Sequence, residues 1–174
     1  TPVDCSALYT RRPEVLRRAF SLVPEYLTTS EDGDAANLMD YGVQLGRRFR
    51  ALKLWMVLRA FGTEGMASRI RHHCALAQEF AQWVAAGPDW EVVAPVPLSL
   101  VCFRYAPAGH DEQSLACINA AVMDAVNATG EAFLSHTRLG DRYVLRLAIG
   151  NLRTEREHVA RVWELLQSAI STDG

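Results

Sequence analysis

Hydrophobic and polar positions follow helical periods through the middle of the chain. Residues 49–61 are apolar on nearly every side, which is typical of a buried helix; they join two differently composed halves, and we call this segment the hinge helix. A second helix, from about 64 to 86, carries a single apolar stripe and ends at Gly87 and Pro88, which do not continue a helix. The pattern therefore predicts two consecutive helices.

The second half of the chain alternates between β-rich and helical patterns. Two β-rich runs at 90–96 and 98–105 precede a helix that the Asp111 carboxylate can cap. A hairpin over 133–149 follows, with its turn at Gly140–Asp141, and a capping box that begins at Thr154 starts the last helix. This order describes an α+β layer, in which one four-stranded antiparallel sheet is covered by helices on one face.

The beginning of the chain does not make a domain by itself. Residues 3–10 have the alternation of a strand, and a short helix follows them. A mobile loop is predicted at about 21–40; its second half is small, acidic and turn-forming, and Tyr26 lies at its root. Together with the hinge helix these elements leave too much apolar surface uncovered. We interpret 1–65 as the trailing edge of a larger domain whose remainder is upstream, and 66–174 as a small domain.

Charge and composition exclude several classes of protein. The 174 residues carry a formal net charge of −2 and a pI near 6.2, so the chain has no basic footprint for nucleic acid. No apolar run reaches the ~18 residues that a membrane span needs, and the first residues resemble neither a signal peptide nor a transit peptide. The four cysteines form no C-x-x-C pair, which favours free thiols in a reducing compartment and hence a cytoplasmic protein.

Two features limit the chemistry of the chain. His72, His73 and Cys74 are consecutive, and because helical neighbours point about 100° apart, we expect no metal site there. Lys53 is the only lysine in the sequence. Chemistry that needs a lysine must therefore use Lys53 or a segment that is not in this chain.

The start of the hinge helix carries an unusual group of cations. Arg47, Arg48 and Arg50 lie at its first turn, with Lys53 one turn later, although cations at a helix N-terminus oppose the helix dipole. Such a group persists when carboxylates neutralise it or when an anionic ligand is held nearby. Two interpretations of this group are therefore compatible with the sequence: a structural ion-pair network, or the wall of a site that binds an anionic ligand.

Five segments together resemble a known family. Residues 4–7 (DCSA), 24–27 (PEYL), 45–55 (LGRRFRALKLW), 100–104 (LVCFR) and 142–149 (RYVLRLAI) occur in the order found in the group II pyridoxal-phosphate-dependent decarboxylases, especially the aromatic-L-amino-acid decarboxylases. The resemblance covers essentially the whole chain in one register. It is therefore far more specific than any single short motif.

The resemblance implies a fold-type-I, α/β PLP-dependent transferase-like architecture and a homodimer. Residues 1–65 would be the end of the large cofactor-binding domain, with its catalytic loop and hinge helix, and 66–174 the C-terminal small domain. The implied activity is a carboxy-lyase that uses pyridoxal 5'-phosphate to convert an aromatic L-amino acid to its amine and carbon dioxide. In the family the cofactor-bearing lysine precedes the position of Thr1, and Lys53 does not match it. The chain is therefore expected to be inactive alone.

The family pattern also suggests functional residues. Tyr26 matches the loop tyrosine that delivers a proton to the substrate carbon after decarboxylation; a plain loop anchor is the alternative. Strand alternation places Arg146 on the same face as Val144 and Ala148, where an arginine needs an anionic partner. In related glutamate decarboxylases an arginine in the matching strand contacts the substrate carboxylate, and we predict that role for Arg146. A solvent-facing or ion-paired arginine is the alternative.

Three further residues are placed near the cofactor by the resemblance. Leu45 and Arg47 are expected in the vicinity of the cofactor pocket, and Gly46 is expected to leave room for a bulky substrate ring. The substrate itself is not determined, because most of the side-chain pocket in the family lies upstream or in the partner subunit. The presence of Tyr26 favours simple decarboxylation over the oxidative route to an aldehyde. A non-catalytic α+β interaction module and another fold-type-I enzyme are the alternative functions.

Overall fold

The structure is a computed structural model that describes residues 5–21, 38–44, 46 and 48–171. It divides into two compact units, Thr1–Gly62 and Thr63–Gly174. The predicted division of the chain into the edge of a large domain and a small domain is a statement about a longer enzyme, and it stays a prediction.

The first unit contains two short helical elements besides the start of helix α2. Helix α1, Pro13–Phe20, begins with a proline whose missing N–H is not needed in the first turn. An ion pair of 3.6 Å joins Arg17 to the buried Asp40 in a short 3-10 helix, Leu38–Tyr41, at the end of the predicted loop. Residues 5–10 have no regular structure, so the predicted strand is wrong over this part. A strand needs a neighbour, and the described part of this unit offers none.

Helix α2, Arg50–Ala86, spans both predicted helices and is interrupted at Gly62. Gly62 has φ +66°, a left-handed conformation that glycine adopts without steric cost. The hinge helix is apolar enough for a buried helix, and the elements of the first unit were expected to leave apolar surface uncovered. Five of its large apolar side chains are exposed, as that expectation requires: Phe49, Leu52, Trp55, Met56 and Leu58. The apolar pattern identified a surface that needs covering, but it did not identify what covers it.

The second unit is built on a four-stranded antiparallel sheet. Its strands are β1, Trp90–Val92; β2, Leu100–Tyr105; β3, Ser135–Leu139; and β4, Arg142–Ala148. They lie in the order β1-β2-β4-β3, so β2 and β4 are central. Helix α3, Glu112–Ala128, connects β2 to β3, and helix α4, Arg156–Ser171, follows β4.

The sheet has one core face and one opposite face. Odd-numbered residues of β2 and β4, such as Phe103 and Leu145, point to the core face, and even-numbered residues point away from it. The core face packs against apolar residues of three helices: Leu76, Phe80 and Val84 of α2, Val122 and Val126 of α3, and Val159, Val162 and Leu166 of α4. This arrangement confirms the predicted α+β layer.

The two predicted helix caps differ in outcome. The Asp111 carboxylate accepts a 2.8 Å hydrogen bond from the backbone N–H of Ser114, which confirms that cap and holds the pKa of Asp111 below its usual value. The capping box at Thr154 is wrong. Helix α4 begins at Arg156, and the imidazole Nδ1 of His158 accepts a 3.0 Å hydrogen bond from the backbone N–H of Glu155. His158 thus satisfies the donor that a glutamate usually satisfies in a capping box.

Aromatic rings form the centre of the core. The Phe80 ring meets the rings of Phe103 and Trp163 edge to face, with centroids 5.1 and 6.0 Å apart. Trp90 packs 5.4 Å from Trp163, and Gly87 lies against this last pair. A Cβ atom at Gly87 would lie 3.0 Å from atoms of both indole rings, so this position has no room for a side chain.

Replacing Gly87 with alanine is therefore expected to destabilise the second unit. The added methyl group must displace an indole ring from a packed core, which costs about 1–3 kcal/mol of the free energy of unfolding. Urea unfolding followed by tryptophan fluorescence measures the change. Gly150→Ala is the matched control, because an added Cβ there meets nothing within 4 Å. Equal midpoints for the two variants would contradict the packing argument.

Candidate functional site

Only two of the predicted site residues lie in the described part of the chain. Tyr26, Leu45 and Arg47 lie outside it. Gly46 is exposed, and a Cβ atom added to it would meet nothing within 4 Å among the described residues. The candidate site that the structure describes is therefore centred on Arg146.

Arg146 lies in the central strand β4, on the face of the sheet opposite the core. Its cross-strand neighbours are Cys102 of β2 and Ser135 of β3. Leu145 and Leu147, on either side of it in the strand, point into the core, which confirms the alternation predicted from the sequence. Arg146 is half-buried on a central strand of the sheet.

The charge of Arg146 is not balanced locally. Across the described residues, no carboxylate forms an ion pair or a hydrogen bond with its guanidinium group. Both cross-strand neighbours are neutral, since one is a thiol and the other a hydroxyl. A half-buried guanidinium group with free donors is suited to bind a carboxylate or a phosphate in two parallel hydrogen bonds.

A second arginine on the same face, Arg104, is paired with carboxylates. Arg104 of β2 lies opposite Glu91 of β1, to which its Nε donates, and its Nη1 is 2.6 Å from Oε2 of Glu112 at the start of α3. The residue is only 6% exposed. Burial alone would lower the pKa of Arg104, but hydrogen bonds to the two carboxylates and their charges outweigh burial and raise it.

The Arg104 cluster was not predicted, although Arg104 belongs to one of the five resembling segments. The signal was available: an arginine between apolar residues of a strand needs an anion, by the same reasoning that singled out Arg146. The sequence did not identify the two partners, because Glu91 and Glu112 reach Arg104 only through the pairing of β1 with β2 and the placement of α3.

The described residues do not form a site for pyridoxal phosphate by themselves. Lys53, the only lysine, is half-buried on the hinge-helix part of α2. A cavity of about 300 Å³ is lined by Arg69, His72, His73, Ser68, Leu152 and Glu155, and another of about 310 Å³ by Glu14, Arg17, Arg18 and Ser21. Neither includes a lysine that could bind the cofactor covalently.

The described ranges hold neither a cluster of metal ligands nor a membrane-spanning helix. No group of three or more histidine, cysteine or acidic side chains there could hold a metal ion. His72 instead lies 3.2 Å from a carboxylate oxygen of Glu155. None of the helices in these ranges is long and apolar enough to cross a membrane.

Comparison with solved structures identifies the fold. The chain is similar to the Oryza sativa TDC solved with PLP and tryptamine, with a TM-score of 0.79 and 37% identity over 90% of this chain and 33% of that one. It is also similar to Catharanthus roseus tryptophan decarboxylase in complex with L-tryptophan, with a TM-score of 0.75 and 35% identity over 94% of this chain and 32% of that one. The chain therefore has the fold of the corresponding part of a fold-type-I pyridoxal-phosphate enzyme, as predicted.

Sequence comparison identifies the family. Residues 1–106 match the model of the pyridoxal-dependent decarboxylase conserved domain, and the chain belongs to this family. It is 43% identical to phenylacetaldehyde synthase from Arabidopsis thaliana over 98% of this chain and 35% of the relative. It is 42% identical to tyrosine decarboxylase 2 from Narcissus pseudonarcissus over 96% of this chain and 34% of the relative. The predicted resemblance is confirmed, and the chain spans about a third of the length of these curated relatives.

Proposed function

We propose that the chain is the C-terminal part of a pyridoxal-phosphate-dependent decarboxylase that acts on an aromatic L-amino acid and releases carbon dioxide and the amine. The observation that carries this proposal is the match of nearly the whole chain, at 42% identity, to decarboxylases named for the aromatic amino acids tyrosine and tryptophan. The cofactor supplies the electron sink for loss of the carboxylate. The residues of this chain would bind the substrate and handle the proton.

Arg146 is proposed to bind the carboxylate group of the amino-acid substrate. Its support is a half-buried arginine on a central strand, with no carboxylate partner among the described residues. Gly46 is proposed to leave space for the aromatic ring, and its Cβ position, which meets no atom of the described residues within 4 Å, is compatible with that role. Leu45 and Arg47 are proposed to border the cofactor, and Tyr26 to donate the proton.

The type of product follows from Tyr26. The relatives include both an enzyme that is named as a tyrosine decarboxylase and a synthase that is named for an aldehyde. Delivery of a proton to the substrate carbon yields the amine, whereas an aldehyde forms when oxygen enters instead. Because a phenol can donate that proton, we propose that this protein forms the amine.

We further propose a cytoplasmic homodimer. The exposed apolar side chains of the hinge helix, including Trp55 at 57% and Phe49 at 76% exposure, support a surface that another segment or subunit covers. The four cysteines are free thiols in the structure, a state that a reducing compartment preserves.

The intact mass of the purified natural protein tests the proposal. The protein is incubated with pyridoxal phosphate, reduced with borohydride and weighed by mass spectrometry, and its products from L-tryptophan, L-tyrosine and L-phenylalanine are identified. We expect a longer polypeptide that carries one reduced cofactor on an upstream lysine and forms an amine. A polypeptide without an adduct, whose mass is that of a chain beginning at Thr1, would overturn the proposal and favour a non-catalytic interaction module.

The Arg146→Gln variant of the natural holoenzyme is expected to raise KM for the amino acid. Loss of a charge-assisted pair of hydrogen bonds to the carboxylate weakens binding by about tenfold to a hundredfold. Steady-state kinetics measure the change. Arg142→Gln is the matched control, because Arg142 lies on the same strand and the same face but is exposed. An equal KM in both variants would contradict the role of Arg146.

A further inference from the structure

Arg104 and Arg146, both on the face of the sheet opposite the core, differ in one respect that the strand pairing explains. Arg104 is paired across the strands with an acidic residue, and Arg146 with two neutral ones, Cys102 and Ser135. We propose that Cys102 and Ser135 are positioning residues that keep the Arg146 guanidinium group available for a carboxylate ligand. This inference rests on the proposed function of Arg146 and names the residues on which that function depends.

Cross-strand geometry puts positions 102 and 135 close enough to Arg146 for a carboxylate there to pair with it. Directly opposed residues of an antiparallel pair have Cβ atoms about 4.5–5.5 Å apart, within reach of an arginine side chain. Because β4 is central, Arg146 has such a neighbour on each side. An aspartate or glutamate at either position could form a local ion pair and occupy the donors that a ligand needs.

Arg104 shows what this sheet does to an arginine that has acidic neighbours. Glu91 occupies its Nε and Glu112 its Nη1, and the side chain is only 8% exposed. Its charge is balanced inside the protein, so it has little attraction left for an anionic ligand. The contrast between Arg104 and Arg146 lies within one sheet and on one face, so it isolates the effect of the neighbours.

The residue types at 102 and 135 fit the proposed role. A thiol is a weak hydrogen-bonding group, and a hydroxyl can accept one hydrogen bond without neutralising a positive charge. Both side chains are short, and both are half-buried beside Arg146. They lie beside Arg146 in the sheet and bring no negative charge that would occupy its donors.

The experiment places a carboxylate beside Arg146 in the natural holoenzyme. Cys102→Asp is compared with Cys102→Asn, which has nearly the same shape without the charge, and Ser135→Asp tests the other flank. Cys117→Asp is the matched control, because Cys117 is exposed on helix α3. Two competitive inhibitors serve as probes: 3-phenylpropionate, which has a carboxylate and no amine, and 2-phenylethylamine, which has an amine and no carboxylate.

We expect both Asp variants to weaken inhibition by 3-phenylpropionate about fivefold, the upper range for an opposite-charge cross-strand pair, and to leave inhibition by 2-phenylethylamine unchanged. Cys102→Asn and Cys117→Asp should resemble the unmodified enzyme toward both probes. If Cys102 has a purely structural role, Cys102→Asp should weaken the binding of both inhibitors or of neither. Either result would overturn the proposal.

Arg146→Gln separates this inference from the proposed function. If Arg146→Gln leaves binding of 3-phenylpropionate unchanged, the substrate role of Arg146 is wrong and the positioning role falls with it. If Arg146→Gln weakens that binding while Cys102→Asp and Ser135→Asp do not, the positioning role alone is wrong. If Arg146 binds the carboxylate and Cys102 acts through Arg146, adding Cys102→Asp to Arg146→Gln should not weaken the binding of 3-phenylpropionate any further.

Discussion

Replacing Tyr26 with phenylalanine is expected to slow amine formation by about two to four orders of magnitude, the usual contribution of a positioned proton donor. Phenylalanine keeps the aromatic ring and loses only the hydroxyl group. The protein then has no phenol to protonate the substrate carbon after the carboxylate has left. The affinity for pyridoxal phosphate should change little, because the proposed role concerns proton delivery and not the binding of the cofactor.

The measurement is the rate of amine formation by the natural holoenzyme, together with the ratio of aldehyde to amine among the products. We expect that ratio to rise in the variant, since oxygen competes better when protonation is slow. Tyr9→Phe is the matched control, because Tyr9 is 92% exposed and has no proposed role. A Tyr26→Phe enzyme with unchanged turnover would show that Tyr26 only anchors its loop.

Replacing Phe80 with alanine is expected to lower the free energy of unfolding of the second unit by about 3–5 kcal/mol. The Phe80 side chain is fully buried, and its ring meets the rings of Phe103, Trp83 and Trp163 edge to face. The substitution removes apolar area from the core and leaves a cavity that large, mutually packed rings cannot close. It also removes several favourable ring contacts at once.

Urea unfolding followed by tryptophan fluorescence and by circular dichroism measures this loss, and the two probes should give coincident transitions. Phe133→Ala is the matched control, because Phe133 is 83% exposed and its truncation should change the free energy of unfolding by no more than about 0.5 kcal/mol. A similar midpoint for the two variants would mean that Phe80 is not part of a packed core.

Local features of the second unit were predicted well from the sequence. The Asp111 cap and the Gly140–Asp141 turn of the β3–β4 hairpin depend on residues within three positions of each other, so their signal is contained in a short window. The prediction of the cap of helix α4 was wrong for an equally local reason. Thr154 has the right chemistry, but the helix begins two residues later, because the His158 ring satisfies the backbone N–H of Glu155.

Features that depend on distant partners were predicted less well. The strand over 3–10 was inferred from alternation alone, and the described residues 5–10 have no strand to pair with. The apolar pattern of the hinge helix is that of a buried helix, but it does not identify a covering partner, and Leu52, Trp55, Met56 and Leu58 are exposed in this chain. In both cases the periodicity describes the segment correctly, but burial and pairing are properties of the segment and its neighbour together.

In the candidate site, too, the local feature was predicted from the sequence and the dependence on distant partners was not. Alternation along 143–149 was enough to place Arg146 on the face opposite the core, because the period of a strand is two residues. The environment of that arginine depended on strand order and register, which bring Cys102 and Ser135 beside it from sequence positions 44 and 11 residues away. No local pattern distinguishes Arg146 from Arg104, since both lie between apolar residues of a strand.

The sequence by itself determined the order of helices and strands in the second unit, the two faces of its sheet, the Asp111 cap and the family to which the chain belongs. These are properties of short windows or of many positions matched in one register. Only the tertiary structure decided that Glu91 and Glu112 neutralise Arg104 while Arg146 keeps neutral neighbours. Charges interact through space and not along the chain, so strand register and the position of α3 decide which arginine is paired with carboxylates and which has neutral cross-strand neighbours.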